Sequence, residues 1–390
     1  MTRRSLLRLT AASIGAPTIL LPGPRPDRRR KVLFACVDGF DPRYIEKSDV
    51  PNLRRMMKDG AYDQGSSVIP SVTNVNNSSI ATASFPEEHG ITTNYFFDRK
   101  TQQGTFMETA DFLLRPTLFV RAREMGWKTA IVSAKHKIYR LIGQDADYKA
   151  SGQQPSADIL QRAGPQQDMY TPDVNYWCVR GAHSLLGDGY DLVYLATTDY
   201  MMHAYPPEDE RSRTHLHELD KWLGRMVDDF PGIEIYLSAD HGMNAKTHGV
   251  DIARLLSEKG IEAEAVPIIR DRHVVHHKNL GGACYAYLMN PTDEDRAFEL
   301  LRQTEGVEEI YRRAEAARKF RLYEQRIGDL FLLGEKHVAF GALDRVREDI
   351  AIRSHGSRHE SVVPVLRYGA KKSEKHTYNL DLARNFEWAT

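Results

Sequence analysis

The sequence predicts an α/β fold: a doubly wound, mostly parallel sheet with a small inserted α+β cap. Three observations carry that expectation. Residues 32–37 form a short, uninterrupted apolar run, which is how a strand buried on both faces reads. Similar runs alternate with helical segments along most of the 390 residues, the pattern of a layered α/β domain. The alternation breaks over residues 263–350, where the cap is placed.

The elements follow in order. The first strand, 32–37, is bounded by Lys31 and Asp38-Gly39. Residues 51–58 read as a helix that stops at Gly60. Residues 77–84 read as a second helix, rich in small side chains. Residues 116–125 read as a third, with Pro116 in its first turn and Gly126 past its end. Strands are expected at 128–133, 191–197 and 233–238, a long helix at 207–230, and another at 250–258. Residues 143–172 are polar and rich in Gln, Gly and Pro, and read as a long surface excursion. Apolar runs at 283–289 and 329–333 fall inside the cap. The core thus comprises 31–262 and 351–390, with the cap at 263–350.

Composition narrows the function. Lys and Arg total 53, Asp and Glu total 53, so a nucleic-acid partner or a polybasic membrane surface is not expected. The chain is 41% hydrophobic and 27% charged, which excludes wholesale disorder. No run approaches the roughly 18 apolar residues of a membrane span. Cys36, Cys178 and Cys284 are odd in number and far apart, so they read as separate buried thiols. Residues 1–30 do not read as fold. Thr2-Arg3-Arg4-Ser5-Leu6-Leu7 resembles a twin-arginine export signal, and a mildly apolar stretch follows. A periplasmic or extracellular location is slightly favoured; a disordered basic tail on a cytoplasmic enzyme is the other reading.

In an open parallel sheet the binding crevice lies at the carboxyl ends of the strands. Asp38, Asp199 and Asp240 each follow a predicted strand. Asp199 and His203 are four apart and share a face if the segment turns helically. His241 adjoins Asp240, and His355 follows 350–353. Oxygen and imidazole donors without thiolates suit catalytic Zn²⁺, with Mn²⁺ or Fe left open. His215 and His217 read as surface residues, His136, His337 and His376 are unmarked, and His89 is expected to order its loop. His276-His277, in the cap, either line the cleft or do not. Thr73 sits just ahead of the second predicted helix, where free N–H groups attract phosphate. A metal-activated hydroxyl there is a nucleophile; taken alone, it is a helix cap.

The order Asp38, Thr73, Asp199, His203, Asp240, His241, His355 resembles the alkaline phosphatase superfamily, in its nucleotide pyrophosphatase/phosphodiesterase branch. The resemblance spans about residues 31–365. It rests on Val37-Asp38-Gly39, Val68 to Asn77, His89-Gly90-Ile91 with Asn94 to Asp98, Thr197-Thr198-Asp199-Tyr200 with His203, Arg326 to Leu330, and Arg353-Ser354-His355-Gly356. Ser133-Ala134-Lys135-His136-Lys137, Asp240-His241-Gly242-Met243-Asn244-Ala245-Lys246-Thr247 and Val274-Val275-His276-His277 narrow it to members that hydrolyse carbon–phosphorus bonds.

The resemblance implies two Zn²⁺ per chain. Asp38, Thr73, Asp240 and His241 would hold one, and Asp199, His203 and His355 the other. Thr73 would attack phosphorus, Asn94 would hydrogen-bond a phosphonyl oxygen, and water would release phosphate. Three aspartates and an ionised Thr73 would cancel the charge of two divalent ions, so a small phosphonate bearing a carboxylate needs further cations; Lys135, Lys137 and Lys246 are the candidates. The alternative is a phosphodiesterase or phosphomonoesterase with the same metals. The nucleophile segment lacks the Cys/Ser-x-Pro-x-Arg pattern of a sulfatase, and no ligand position is missing, as it would be in a protein that had lost turnover. A small-molecule phosphonate is the expected partner, and a homodimer is left open.

Overall fold

Strand Val32–Cys36 is buried along its whole length and lies mid-sheet. It pairs in parallel with Leu192–Ala196 on one side and Glu234–Ser238 on the other, so that Cys36 stands level with both Ala196 and Ser238. The computed structural model describes residues 30–99, 101–272, 275–370 and 375–388. Arg3-Arg4 and the apolar stretch after them lie outside the described residues. Beyond Leu192–Ala196 the sheet continues with Thr129–Ser133 and Tyr148–Ser151, both parallel. Beyond Glu234–Ser238 come Val362–Tyr368, antiparallel to its neighbours, and Ala61–Ser66 at the edge. The seven strands thus form a mostly parallel sheet.

Several elements depart from expectation. The second helix runs Thr73–Thr82, not 77–84. Seven of its ten residues are Asn, Ser or Thr, so no apolar stripe marks where it begins; Thr73 is its first residue rather than a residue ahead of it. The 143–172 segment is not a plain excursion. It supplies the edge strand Tyr148–Ser151 and the helix Ala157–Ala163, capped by Ser156 accepting from Ile159 N. The strand Asn244–Val250 was hidden by its polar residues; it pairs with Arg347–Ser354 and Val338–Phe340. The long helix, Glu210–Asp229, is capped by Asp209 and buries Ser212, His215, Leu216, Leu219, Leu223 and Met226. His215 is therefore a core residue, bonded to Tyr176 and near Asn175, and not a surface one. His217 is half-exposed, as expected.

Where the cap is expected, Val338–Phe340 and Arg347–Ser354 pair with Asn244–Val250, while the chain before them forms a four-stranded antiparallel sheet in the order Ala263–Pro267, Ala283–Leu288, Leu330–Gly334, Val307–Arg312. Its two central strands explain their unbroken apolar runs. Ala283, Tyr285, Tyr287, Phe331 and Leu333 join the main core, while Cys284, Ala286, Leu288, Leu330 and Leu332 form a second core with Ala297 and Leu301 of the helix Glu294–Arg302. Alternate residues face opposite sides, so both sides are apolar. Val250, Ile252, Leu256 and Ile261 belong to that second core, which therefore takes in residues upstream of 263. The three cysteines are buried and free. Among the described residues, no helix is long and apolar enough to cross a membrane.

Candidate active site

The strand register brings three acids together. Asp38 and Asp240 lie two residues past Cys36 and Ser238, and Asp199 three past Ala196, at the carboxyl ends of adjacent strands. All three are buried. Asp38 N donates to Thr197 Oγ1 at 2.9 Å. Asp240 Oδ1 accepts from Gly39 N at 3.2 Å and His241 N at 3.0 Å. Gly39 has φ +73, and a Cβ there would stand 3.0 Å from Asp199 Cβ, so glycine is what lets the first and second acids approach. Lys135 Nζ bridges Asp38 Oδ2 at 2.6 Å and Asp199 Oδ1 at 2.8 Å.

Three imidazoles close the centre, each with its Nδ1 on a backbone carbonyl: His203 on Arg353 O at 2.6 Å, His355 on Ser71 O at 2.8 Å, His241 on Gly242 O at 3.0 Å. A carbonyl only accepts, so Nδ1 of each ring carries a proton and Nε2 points at the acids. His203 Nε2 is 3.0 Å from Asp199 Oδ2. His355 Nε2 is 3.7 Å from the same oxygen. His241 Nε2 is 3.2 Å from Asp38 Oδ1, 3.5 Å from Asp240 Oδ2 and 3.3 Å from Thr73 Oγ1.

Acceptor atoms crowd together here, and a cation between them satisfies them. Asp38 Oδ1 is buried and accepts no hydrogen bond among the described residues. The donor atoms of Asp38, Asp240 and His241, of Asp199, His241 and His355, and of Asp199, His203 and His276 each lie within 4.8 Å of one another. The electrostatics agree. Burial and Asp38 push Asp240 up to about 7. Burial works against protonated His241, yet Asp240, Asp38 and Asp199 pull it up to about 9. Burial would raise Asp199, but Lys135 and His203 hold it well below the usual carboxylate range. Such a set is short of positive charge, and its oxygen and nitrogen donors fit divalent metal ions.

Thr73 is buried at the first position of its helix, with the N-terminal end of that helix beside it. Asn94 is buried, and its Oδ1 has no hydrogen-bond partner among the described residues. Thr73, Asn94, Lys135, Lys137, Asp199 and His355 line one pocket of about 20 Å³, roughly one water in size. Lys137 pairs there with Asp271.

Lys246 does not join them. It is fully buried and bonded to Glu360 Oε1 and Lys336 O, both at 2.9 Å. The expectation that it meets substrate is corrected. His276, left undecided in the sequence, does line the pocket, with Nε2 3.9 Å from Asp199 Oδ1. The His276-His277 doublet was the available signal. Asp271 was missed, since nothing in sequence pairs a loop acid with Lys137. His89 orders its loop as expected, accepting from Ile91 N at 3.1 Å.

The fold and this centre define a class. The family model for type I phosphodiesterase / nucleotide pyrophosphatase matches residues 32–358, and the chain belongs to that family. Every residue of the centre from Asp38 to His355 falls within the match. Among solved structures, the chain is similar to phosphonoacetate hydrolase from Sinorhizobium meliloti 1021 in complex with phosphonoacetate, at 29% identity and a TM-score of 0.84, over 91% of this chain and 94% of that one. The same enzyme in complex with phosphonoformate matches at 30% identity and a TM-score of 0.82, over 91% and 94%. Among curated proteins, bis(5'-adenosyl)-triphosphatase of Bos taurus is 26% identical over 230 residues, 55% of this chain and 47% of that protein. The chain thus spans about half the length of the curated relatives it matches first.

Proposed function

We propose that this chain hydrolyses the carbon–phosphorus bond of phosphonoacetate to acetate and phosphate. One observation carries the choice within the family: Lys135 and Lys137 line the same small pocket as Thr73. A phosphonate with a carboxylate one carbon away demands cations on both sides of the bond being broken. A diester, with one charge and a bulky group, does not. The solved structures similar over most of both chains, with phosphonoacetate and phosphonoformate bound, support the same choice.

Two zinc ions fit the donors, one at Asp38, Thr73, Asp240 and His241, the other at Asp199, His203 and His355; they would supply charge to ionise Thr73 and to stabilise the transition state. The chain does the rest. Nδ1 bonds to Arg353, Ser71 and Gly242 keep the three imidazoles in one tautomer. Thr73 Oγ1 forms the new bond to phosphorus, and the helix N-terminus behind it favours the anionic phosphonyl group. Asn94 donates to a phosphonyl oxygen. The electron pair of the broken bond passes to the methylene carbon as an acetate enolate, which takes its proton from water. Lys135 and Lys137 neutralise the carboxylate as that charge develops. Cations held by Asp38 and Asp199 would replace Lys135 as the partner of those acids and leave its ammonium for the carboxylate. A second water then splits the phosphothreonine, returning the Thr73 hydroxyl and releasing phosphate.

The test is turnover of phosphonoacetate beside p-nitrophenyl phosphate and a phosphodiester. Phosphonoacetate should be strongly preferred; preference for either ester would replace this reading with a phosphoesterase of the same family. We further propose export by the twin-arginine route, on the strength of Arg3-Arg4 and the apolar stretch after it. Fractionation of the native host, with both arginines replaced by lysine as the comparison, checks it: an unchanged distribution would mean that the segment is a tail.

A further inference from the structure

Lys246 and Glu360 remain without a role once the pocket is assembled. Both side chains are fully buried and pair at 2.9 Å, and neither lines the pocket. A buried ion pair is a poor stabiliser, since apolar residues of similar volume often serve as well or better. Its geometry is more informative than its energy.

The strands Asn244–Val250 and Arg347–Ser354 run antiparallel, with Asn244 opposite Ser354. At that end the chain enters one strand from Asp240-His241 and leaves the other into His355. Glu360 spans the gap between the two loops. Its Oε1 accepts from Lys246 Nζ and Asn244 Nδ2, each at 2.9 Å. Its Oε2 accepts from Ser357 N at 3.1 Å and Ser357 Oγ at 2.8 Å. Its backbone carbonyl accepts from Gly242 N at 2.7 Å. One residue thus holds the His241 side through Gly242, Asn244 and Lys246, and the His355 side through Ser357. The chain of bonds goes on to the nucleophile segment. Ser71 Oγ donates to Ser357 O at 2.7 Å, and Ser71 O accepts from His355 Nδ1 at 2.8 Å, two residues before Thr73.

We propose that Glu360, anchored by Lys246, is a positioning residue: it sets His241 and His355 against each other and so fixes the spacing of the two metal sites. This rests on the two-metal reading above. A carboxylate with four donors around it cannot shift without stranding one of them, so the loops move together or not at all. Lys246 supplies the charge that keeps this carboxylate ionised in a dry site.

The test is zinc binding to metal-free protein by calorimetry, with melting temperature measured in parallel. Glu360→Gln replaces one acceptor oxygen by a donor and should weaken zinc binding by about ten- to a hundred-fold, the range for groups that orient metal ligands. Lys246→Met combined with Glu360→Met should restore much of the metal-free melting temperature but not the zinc affinity. Recovery of affinity together with stability would mean that the pair serves only the fold. The two readings fail separately. Fewer than two zinc ions on wild-type protein overturns the function, whereas equal zinc affinity of wild type and Glu360→Gln overturns the positioning role.

Discussion

His241 and His355 stack face to face, with ring centroids 3.4 Å apart and planes within 7°. His241 Nε2 lies 3.2 Å from Asp38 Oδ1 and 3.5 Å from Asp240 Oδ2, His355 Nε2 lies 3.7 Å from Asp199 Oδ2, and each ring has its Nδ1 fixed on a carbonyl. Two neighbouring imidazoles held flat against each other would place two cations side by side, an arrangement that serves an in-line displacement at phosphorus.

Purified protein should therefore carry two metal ions per chain, read by elemental analysis. Asp199→Ala and Asp240→Ala each remove a charged donor from a different cluster. Each should abolish turnover and lower the metal content while leaving far-ultraviolet circular dichroism intact. Full metal content in both variants would remove these aspartates from the ligand set.

Thr73→Ala should keep the fold and the metals and lose nearly all activity, while Thr73→Ser should retain some. Acid quenching during turnover should leave phosphate on Thr73. Substantial turnover by Thr73→Ala would mean direct attack by water.

The central sheet was legible because its strands are buried on both faces and read as plain apolar runs, as Val32–Cys36 does. The acids were legible because strand ends are where chemistry collects, and register then brought Asp38, Asp199 and Asp240 to the same edge of the sheet. What stayed hidden was polar structure. The helix Thr73–Thr82 and the strand Asn244–Val250 are held by side-chain hydrogen bonds and long-range pairing, neither of which leaves a hydrophobic period. The same blindness misplaced Lys246: a charged residue beside a ligand loop reads as a substrate contact unless Glu360, far along the chain, is known to face it.

Acid should destabilise the metal-free protein through two histidines outside the metal centre. Burial pushes His89 and His215 down to about 3. The unfolded chain protonates them near the ordinary value of about 6.5, so below that pH it binds protons that the folded chain refuses. Their contribution is thus complete above about pH 6.5 and is lost as pH falls toward about 3. Between about pH 7 and pH 5 each should cost about 2 kcal/mol of stability. Urea unfolding of His215→Gln at both pH values, with chelator present, should show a smaller difference than wild type by about that amount. An unchanged difference would mean that His215 titrates normally in the folded protein.

The lysines give the sharpest division between substrates. Removing one partner of a desolvated charge pair costs roughly 2–5 kcal/mol, about thirty- to several-thousand-fold in rate where the contact persists in the transition state. Lys135→Ala and Lys137→Ala should lower phosphonoacetate turnover within that range. Hydrolysis of p-nitrophenyl phosphate, which has no carboxylate and a good leaving group, should fall far less. Lys246→Ala should behave differently. It faces Glu360 and not the pocket, so both activities should fall together along with the melting temperature. Measured kcat/KM for the two substrates across the three variants decides the matter. If Lys135→Ala and Lys137→Ala lose both activities equally, these lysines serve the phosphoryl group or the fold, and the carboxylate of the substrate is recognised elsewhere.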